Sequence, residues 1–225
     1  MRPWITLDRL DTPEGMLELR QRGEREFLIV VGGRVLMSSQ HARSETFLAE
    51  DVCRRLADRK APRVLVGGLG MGITLRAALD ALPQDAKVVV AELNTEVVRW
   101  CRGPLAPASA DALADPRVTV HQGDVTTLIA HHAKSGPAFD AILLDLYEGP
   151  HAATQPADDP RYGPTALGRT RKALTANGWF AVWGEVSDDR FDRELRRAGF
   201  RFERHHPGKG GSPHCVWVAY QSVGV

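Results

Sequence analysis

Residues 64–79 read VLVGGLGMGITLRAAL, an apolar strand followed by a glycine-rich turn and an apolar helix. Glycines let the chain turn sharply from strand to helix and let a ligand approach the main chain closely. Read from Gly68, the turn misses the dinucleotide motif G-x-G-x-x-G, because position 73 is Ile, and no Gly-Lys-Ser/Thr follows. The stretch therefore predicts a strand–turn–helix unit with a ligand-binding turn, but it does not identify the ligand.

The alternation of apolar strands and helices continues towards the end of the chain. Strands joined by helices are parallel and buried on both faces, whereas the last two strands are close enough to form a hairpin. The predicted fold is an α/β, doubly wound, Rossmann-like sheet of seven strands with one antiparallel strand. The strands after the first are KVVVAEL (87–93), RVTVHQ (117–122), FDAILLDL (139–146), WFAVWG (179–184), FRFERHH (200–206) and HCVWVAYQ (214–221).

The first forty residues show a different pattern. Residues 16–37 contain an alternating run, an apolar run and two turns with glycines, which predicts a small antiparallel unit of two or three strands. A helix is expected over Ser44–Asp58, with Ser44 as its cap. We therefore divide the chain into an N-terminal β-strand unit at 1–43 and a Rossmann-like catalytic domain at 44–225. The exposed edges of the first unit are compatible with a homodimer.

Composition excludes several classes of protein. With 225 residues, 43% of them hydrophobic and 25% charged, the chain has the composition of a globular domain. The formal net charge of +1 argues against a nucleic-acid partner, and no apolar run suggests a membrane span or a signal peptide. The three cysteines are far apart and the histidines lack metal-ligand spacing. We expect a cytoplasmic protein with free buried thiols and no metal.

Three acidic residues end successive predicted strands, namely Glu92, Asp124 and Asp145. Each could simply cap the helix or loop that follows it. However, the carboxyl ends of parallel strands meet at one edge of a sheet, and a carboxylate about 20 residues after the glycine turn can accept both hydroxyls of a ribose. Together the three predict a nucleoside-binding cleft.

VLVGGLGMGITLRAAL, VVVAELN, DPRVTVHQGDV and FDAILLDLYEGP together resemble the spermidine synthase-like branch of the S-adenosylmethionine-dependent methyltransferase superfamily. The resemblance extends over roughly residues 16–221. It implies that Asp145 faces the reacting centre. The cofactor contacts it implies are Gly68, Gly70 and Gly72 beside the methionine and ribose parts, Glu92 at the ribose hydroxyls, Asp124 at the adenine amino group and Val125 through its backbone.

Several features of polyamine-making members of that family are absent. Those members carry an acid in the glycine turn, which pairs with the aminopropyl ammonium of decarboxylated S-adenosylmethionine, whereas this chain has Met71. Their D-S-S-D-like loop corresponds to Asp-Leu-Tyr-Glu at 145–148, which keeps both acids in a changed setting. Their Tyr-His-Glu run corresponds to Arg-Ser-Glu at 43–45, which lacks the aromatic residue and the histidine. The expected glutamine after the N-terminal hairpin corresponds to Leu36. These departures favour intact S-adenosyl-L-methionine as cofactor.

The predicted function is therefore that of an S-adenosylmethionine-dependent methyltransferase acting on a small-molecule acceptor such as an amine. Asp145 and Glu148 are the candidate catalytic residues, and Tyr147 and Trp183 are candidate walls of the acceptor pocket. Two alternatives remain open: a polyamine aminopropyltransferase, and a non-catalytic binder of a nucleoside cofactor. The segment 150–164 is either a lid over the acceptor or a plain surface crossover.

Overall fold

A computed structural model describes residues 2–12, 15–40, 42–208 and 214–221. The N-terminal part is an antiparallel sheet in which the strands follow chain order. The range 16–37 contains three of these strands, within the predicted two or three. A further strand at residues 5–12 was not predicted, because it is largely exposed and lacks an apolar run. The strands are β1 (Ile5–Thr12), β2 (Gly15–Arg22), β3 (Glu26–Val31) and β4 (Arg34–Ser38).

The helix α1 (Arg43–Arg54) joins the small sheet to the rest of the chain. It buries Leu48 and Val52 and packs against the α2 helix and the large sheet. It ends four residues before the predicted Asp58. Ser44 is not its cap: Ala42 occupies the cap position, and no side chain caps this end. The Ser44 hydroxyl is instead occupied by contacts to other elements, described below.

The second sheet has seven strands in the described part of the chain, in the order β10-β11-β9-β8-β5-β6-β7. Only β11 runs antiparallel to its neighbours, as predicted. Its strands are β5 (Arg63–Gly67), β6 (Lys87–Glu92), β7 (Val118–Gln122), β8 (Phe139–Leu144), β9 (Leu174–Gly184), β10 (Phe200–His205) and β11 (Cys215–Gln221). The helices are α2 (Ile73–Ala81), α3 (Thr95–Cys101), α4 (Val125–Ser135), α5 (Pro164–Ala173) and α6 (Asp189–Arg197).

Both faces of the large sheet are buried, which the apolar strands predicted. On β5, Val64 and Val66 belong to the core beneath α1 and α2, whereas Leu65 belongs to the core on the opposite face. The three side chains have no solvent exposure. The predicted α/β, doubly wound fold is confirmed by this architecture.

The central strand β5 lies between β6 and β8, where the strand order reverses. In open α/β sheets, the carboxyl ends of the strands at such a reversal border the ligand-binding crevice. The glycine turn follows β5 and Asp145 follows β8, so both lie at the reversal. The topology therefore brings the glycine turn and Asp145 together at the edge of the sheet where such folds bind ligands, and the nucleoside-binding cleft stays a prediction.

The pair Asn177-Gly178 is a typical helix-end signal, but α5 stops at Ala173, and Asn177 adopts a positive φ of 59° within β9. Most of the loop between the last two predicted strands, at 208–212, lies outside the described residues. The three cysteines are free and buried, as expected. Among the described residues, no helix has both the length and the apolar character needed to cross a membrane.

Candidate functional site

The glycine turn after β5 needs its glycines for close packing as well as for backbone conformation. Gly68 has φ +89°, and a Cβ there would lie 2.2 Å from the carbonyl oxygen of Asp145. Gly70 has φ +50°, and a Cβ there would lie 2.6 Å from the sulfur of Met37, which reaches over the turn from β4. A larger residue at Gly68 would push the turn away from the backbone of the β8 loop, whereas at Gly70 the end of the Met37 side chain can move and the positive φ is the main constraint.

Backbone hydrogen bonds join the loops that follow β5, β6, β7 and β8. Gly68 donates to the carbonyl of Ala91 over 2.9 Å, and Asp145 donates to the carbonyl of Gly67 over 2.9 Å. The amide of Gly123 donates to the carbonyl of Glu92, also over 2.9 Å. The four loops therefore form one continuous edge, and the three acidic residues lie along it.

Glu92 is held by main-chain amides of two neighbouring loops. Its Oε2 accepts a hydrogen bond of 2.9 Å from the amide of Leu69 in the glycine turn, and its Oε1 accepts one of 2.8 Å from the amide of Asn94. The cap of α3 is Asn94, which accepts from the amide of Glu96. Glu92 is therefore no helix cap. Its carboxylate has a fixed orientation and lone pairs left to accept hydroxyl donors.

Asp124 does cap a helix. Its Oδ1 accepts a hydrogen bond of 2.7 Å from the amide of Thr126 at the start of α4. Asp124 is exposed, whereas Val125 beside it is 5% exposed. The capping contact fixes the carboxylate at the end of β7 and uses one of its two oxygens. Its role towards adenine stays a prediction.

Asp145 has the most unusual environment of the three acids. The residue as a whole keeps some solvent contact, but protein atoms surround its carboxylate, and Thr74 on α2 donates a short hydrogen bond to Oδ2. Burial and, to a smaller extent, the negative charge of Glu45 raise the pKa of Asp145, the Thr74 hydrogen bond lowers it, and the net result is a pKa of about 7. Since no helix follows β8 directly, Asp145 is not a helix cap. A carboxylate with this pKa can accept and release a proton near neutral pH.

The other predicted site residues are distributed around the mouth of the cleft. Tyr147 is 52% exposed, and the guanidinium of Arg34 lies 5.9 Å from the centre of its ring. Glu148 is also exposed, and its Oε2 lies 3.9 Å from Nη2 of Arg161. The structure thus brings Glu148 close to Arg161 in the following segment, and its catalytic role stays a prediction.

The segment 150–164 is packed against the domain. The hydroxyl of Tyr162, a residue only 4% exposed, donates to the carbonyl of Glu148 over 2.7 Å. Gln155 donates to the carbonyl of Gly149 over 2.8 Å, and the amide of Ala152 donates to the carboxylate of Asp188. These contacts favour a surface crossover over a lid.

A group of polar side chains that the sequence did not predict lies beside Asp145. The Ser44 hydroxyl contacts Glu45 Oε2 at 2.7 Å and His214 Nδ1 at 3.0 Å, and it accepts a hydrogen bond of 3.1 Å from the indole of Trp183. Trp183 is thus tied to α1 at the end of β9. No local pattern could have revealed this group, because its members are as much as 170 positions apart.

Curated proteins similar to this chain are polyamine aminopropyltransferases by name. That of Clostridium tetani is 32% identical over 126 residues, which are 55% of this chain and 41% of that protein. That of Corynebacterium efficiens is 32% identical over 127 residues, 56% of this chain and 23% of that protein. Polyamine aminopropyltransferase 1 of Hyperthermus butylicus is 34% identical over 118 residues, 52% of this chain and 38% of that protein. The matched segment thus spans less than half of each relative. No family model matches the chain.

Two solved structures with the same fold are spermidine synthases. The crystal structure of spermidine synthase from Thermotoga maritima matches with a TM-score of 0.72 at 17% identity, over 97% of this chain and 74% of that chain. A spermidine synthase in complex with the transition-state analogue AdoDATO matches with a TM-score of 0.70 at 18% identity, over 97% of this chain and 73% of that one. The resemblance to the spermidine synthase-like branch is thereby supported in sequence and in fold.

The prediction of methyl transfer is wrong. The three curated relatives are aminopropyltransferases, and the two matching structures are spermidine synthases, so the comparisons favour the alternative of aminopropyl transfer. The prediction gave most weight to Met71, on the assumption that its side chain faces a ligand. In the structure, Met71 is fully buried among core side chains. Its identity therefore does not report on the ligand in the way that was assumed.

Proposed function

We propose that this chain is an aminopropyltransferase that uses decarboxylated S-adenosylmethionine as donor and a small-molecule amine as acceptor. The observation that carries the proposal is the 32–34% identity, over 118–127 residues, to polyamine aminopropyltransferases. The chain matches less than half of the length of each of those proteins, so its activity and substrates need a direct test.

The residues on the glycine-turn side of the cleft fit the nucleoside part of such a donor. Both Glu92 oxygens are fixed by backbone amides, so its remaining lone pairs point in a set direction and can accept two ribose hydroxyls without further ordering. Asp124 has a carboxylate fixed by one oxygen at the end of β7, which suits an amino donor.

The residues at the end of β8 fit the transfer step. In this reaction the acceptor nitrogen bonds to the propyl carbon beside the sulfonium, the carbon–sulfur bond breaks, and its electron pair stays on sulfur as a neutral thioether. The nitrogen must lose a proton, and Asp145 is the group that can take it, because its pKa is raised to about 7. Enclosure of its carboxylate also excludes water from the reacting atoms.

The proposed function is tested by incubating the purified chain with decarboxylated S-adenosylmethionine and putrescine, with mass-spectrometric detection of both products. We expect spermidine and methylthioadenosine in equal amounts. If no polyamine product forms with putrescine or with a panel of other primary amines, although methylthioadenosine binds in a calorimetric titration, the chain is a binder of the nucleoside and the proposal is overturned.

A further inference from the structure

The group around Ser44 lies next to the reacting centre. On the large sheet, Leu144 at the end of β8 pairs with Val182 on β9, so Asp145 and Trp183 each follow a paired residue. The indole of Trp183 donates to the Ser44 hydroxyl, which brings the first turn of α1 to this point of the cleft. Ser44 itself is 3% exposed, so the contact is well shielded from water.

The hydrogen bonds around Ser44 have a defined direction. A serine hydroxyl donates one hydrogen bond and accepts up to two. Trp183 can only donate, and Glu45 as a carboxylate can only accept, so the Ser44 hydrogen points to Glu45 Oε2 and His214 Nδ1 completes the set as the second donor. The chain His214–Ser44–Glu45 therefore fixes one oxygen of Glu45. The other oxygen, Oε1, accepts no hydrogen bond from the residues that the structure describes.

Glu45 lies on the same side of the cleft as Asp145. The hydrogen bond from Trp183 to Ser44 brings the first turn of α1, and with it Glu45, to the strand end next to Asp145. The negative charge of Glu45 also contributes to raising the pKa of Asp145. Two carboxylates that face one cleft from different elements repel each other unless a cation lies between them. An amine acceptor, which is an ammonium in water at neutral pH, is such a cation.

We propose that Glu45 is the second carboxylate of the acceptor site and holds the reacting amine against Asp145. Glu45 binds the ammonium form, and Asp145 takes its proton before the nitrogen attacks the donor. Ser44 is a positioning residue, which orients Glu45 together with Trp183 and His214. This assignment rests on the proposed function, since it takes the acceptor to be an amine.

The first test is direct binding of putrescine in the presence of methylthioadenosine, measured by calorimetry on wild type and on E45Q. We expect the Kd for putrescine to rise at least about tenfold, since a charged hydrogen bond is lost, while the Kd for methylthioadenosine stays within about twofold. E50Q on the same helix is the matched control, because Glu50 pairs only with the exposed Arg54 in the described structure. It should bind both ligands as the wild type does.

E45Q keeps an oxygen that can accept from Ser44, so the fold is expected to persist, and E45D, which keeps the charge, should regain part of the affinity. If E45Q binds putrescine as tightly as wild type, or if wild type binds no amine, the proposal fails. Aminopropyl transfer by the wild type decides the proposed function separately. Amine binding that depends on Glu45, without transfer, would uphold this assignment and refute that function.

A second readout separates an acceptor-site role from a purely structural one. The groups that act on Asp145 are Glu45 from α1 and Thr74 from α2, and Tyr162 lies within its electrostatic reach. Removal of the Glu45 charge should move the acid limb of the pH–rate profile to lower pH. S44A should raise KM for putrescine more than it lowers kcat. An unchanged acid limb in E45Q, together with an unchanged KM in S44A, would leave Glu45 as a structural partner of Ser44 and overturn the proposal.

Discussion

The two sides of the cleft are built from different kinds of contact. On the glycine-turn side, neighbouring loops after β5, β6 and β7 are joined by backbone hydrogen bonds, and Glu92 is fixed by two main-chain amides. On the acceptor side, side chains from α1, β9 and the start of β11 meet at Ser44, and Asp145 is held by Thr74. The first side depends on local chain geometry, whereas the second depends on packing between distant segments.

From this difference we expect some substitutions to change the chemistry and others to change the stability. A backbone-built surface tolerates exchange of its side chains as long as the turn keeps its shape, and it suits a nucleoside that many related enzymes share. A surface built from side chains can change with few substitutions, and it suits an acceptor that differs between enzymes.

The largest effect is expected at Asp145. Asp145→Asn keeps the size of the side chain but removes the proton acceptor, so turnover with decarboxylated S-adenosylmethionine and putrescine should fall about 10²–10⁴-fold. Asp140→Asn on the same strand is the matched control. Asp140 contacts Arg59, Thr175 and the amide of Arg63 at the other end of the strand. This variant should lose stability and keep its turnover within about twofold. Equal turnover in both variants would remove Asp145 from the chemistry.

The next effect concerns the shape of the turn. Gly68→Ala introduces a Cβ 2.2 Å from the Asp145 carbonyl at φ +89°, whereas Gly33→Ala has a similar φ of +81° with no atom within 4 Å. The Gly33 variant should lose about 1–2 kcal/mol of unfolding free energy from backbone strain. The Gly68 variant should lose about 1–3 kcal/mol more from overpacking, with loss of methylthioadenosine binding. Chemical denaturation measures both, and similar losses would show that the turn does not pack tightly on the β8 loop.

A smaller effect is expected at Glu92. Glu92→Gln replaces one of the two oxygens that accept hydrogen bonds from backbone amides. It therefore loses one of these contacts and the negative charge. Methylthioadenosine should bind about 1.5–3 kcal/mol more weakly by calorimetry. Glu96→Gln, which changes a residue paired with Arg99 on α3, should bind it as the wild type does. Tight binding by the Glu92 variant would place the ribose elsewhere.

The smallest predicted effect is a pH dependence of stability caused by Asp145. Its pKa is about 7 in the folded protein, against 3.8 as the ordinary value. Between these values the folded protein holds a proton that the unfolded chain has lost, so this group lowers stability as pH rises from about 4 to about 7. The unfolding free energy of Asp145→Asn should therefore match that of the wild type at pH 4 and exceed it by about 1–3 kcal/mol at pH 8. The partial solvent contact of the residue reduces this difference. Equal stability of the two proteins at pH 8 would contradict the raised pKa.

The sequence was sufficient for the large sheet and for one side of the cleft. The apolar strands at 64–66 and 88–91 and the glycine turn are local signals, so their packing and the position of Glu92 could be predicted. β1 was missed because its side chains are largely exposed and its pattern is polar. Asn177 lies within β9 with a positive φ, and the sequence does not distinguish this position from a helix end, because the same residue types suit both.

The contacts that meet at Ser44, on the proposed acceptor side, could not be predicted for a physical reason. Ser44, Trp183 and His214 meet only because α1 packs on β9 and β11, and no spacing in the chain encodes that contact. The mistaken preference for methyl transfer has a related origin. The sequence shows which side chain occupies position 71, but not that the side chain is buried in the core.

The most direct test of the account is one reaction in which both donors compete. The purified chain is mixed with putrescine and equal concentrations of decarboxylated and intact S-adenosylmethionine, and the polyamine products are identified by mass spectrometry. We expect putrescine carrying one added aminopropyl group. Asp145→Asn should reduce the formation of this product, and Asp140→Asn should leave the amount formed nearly unchanged. Putrescine carrying an added methyl group, with no aminopropyl product, would contradict it.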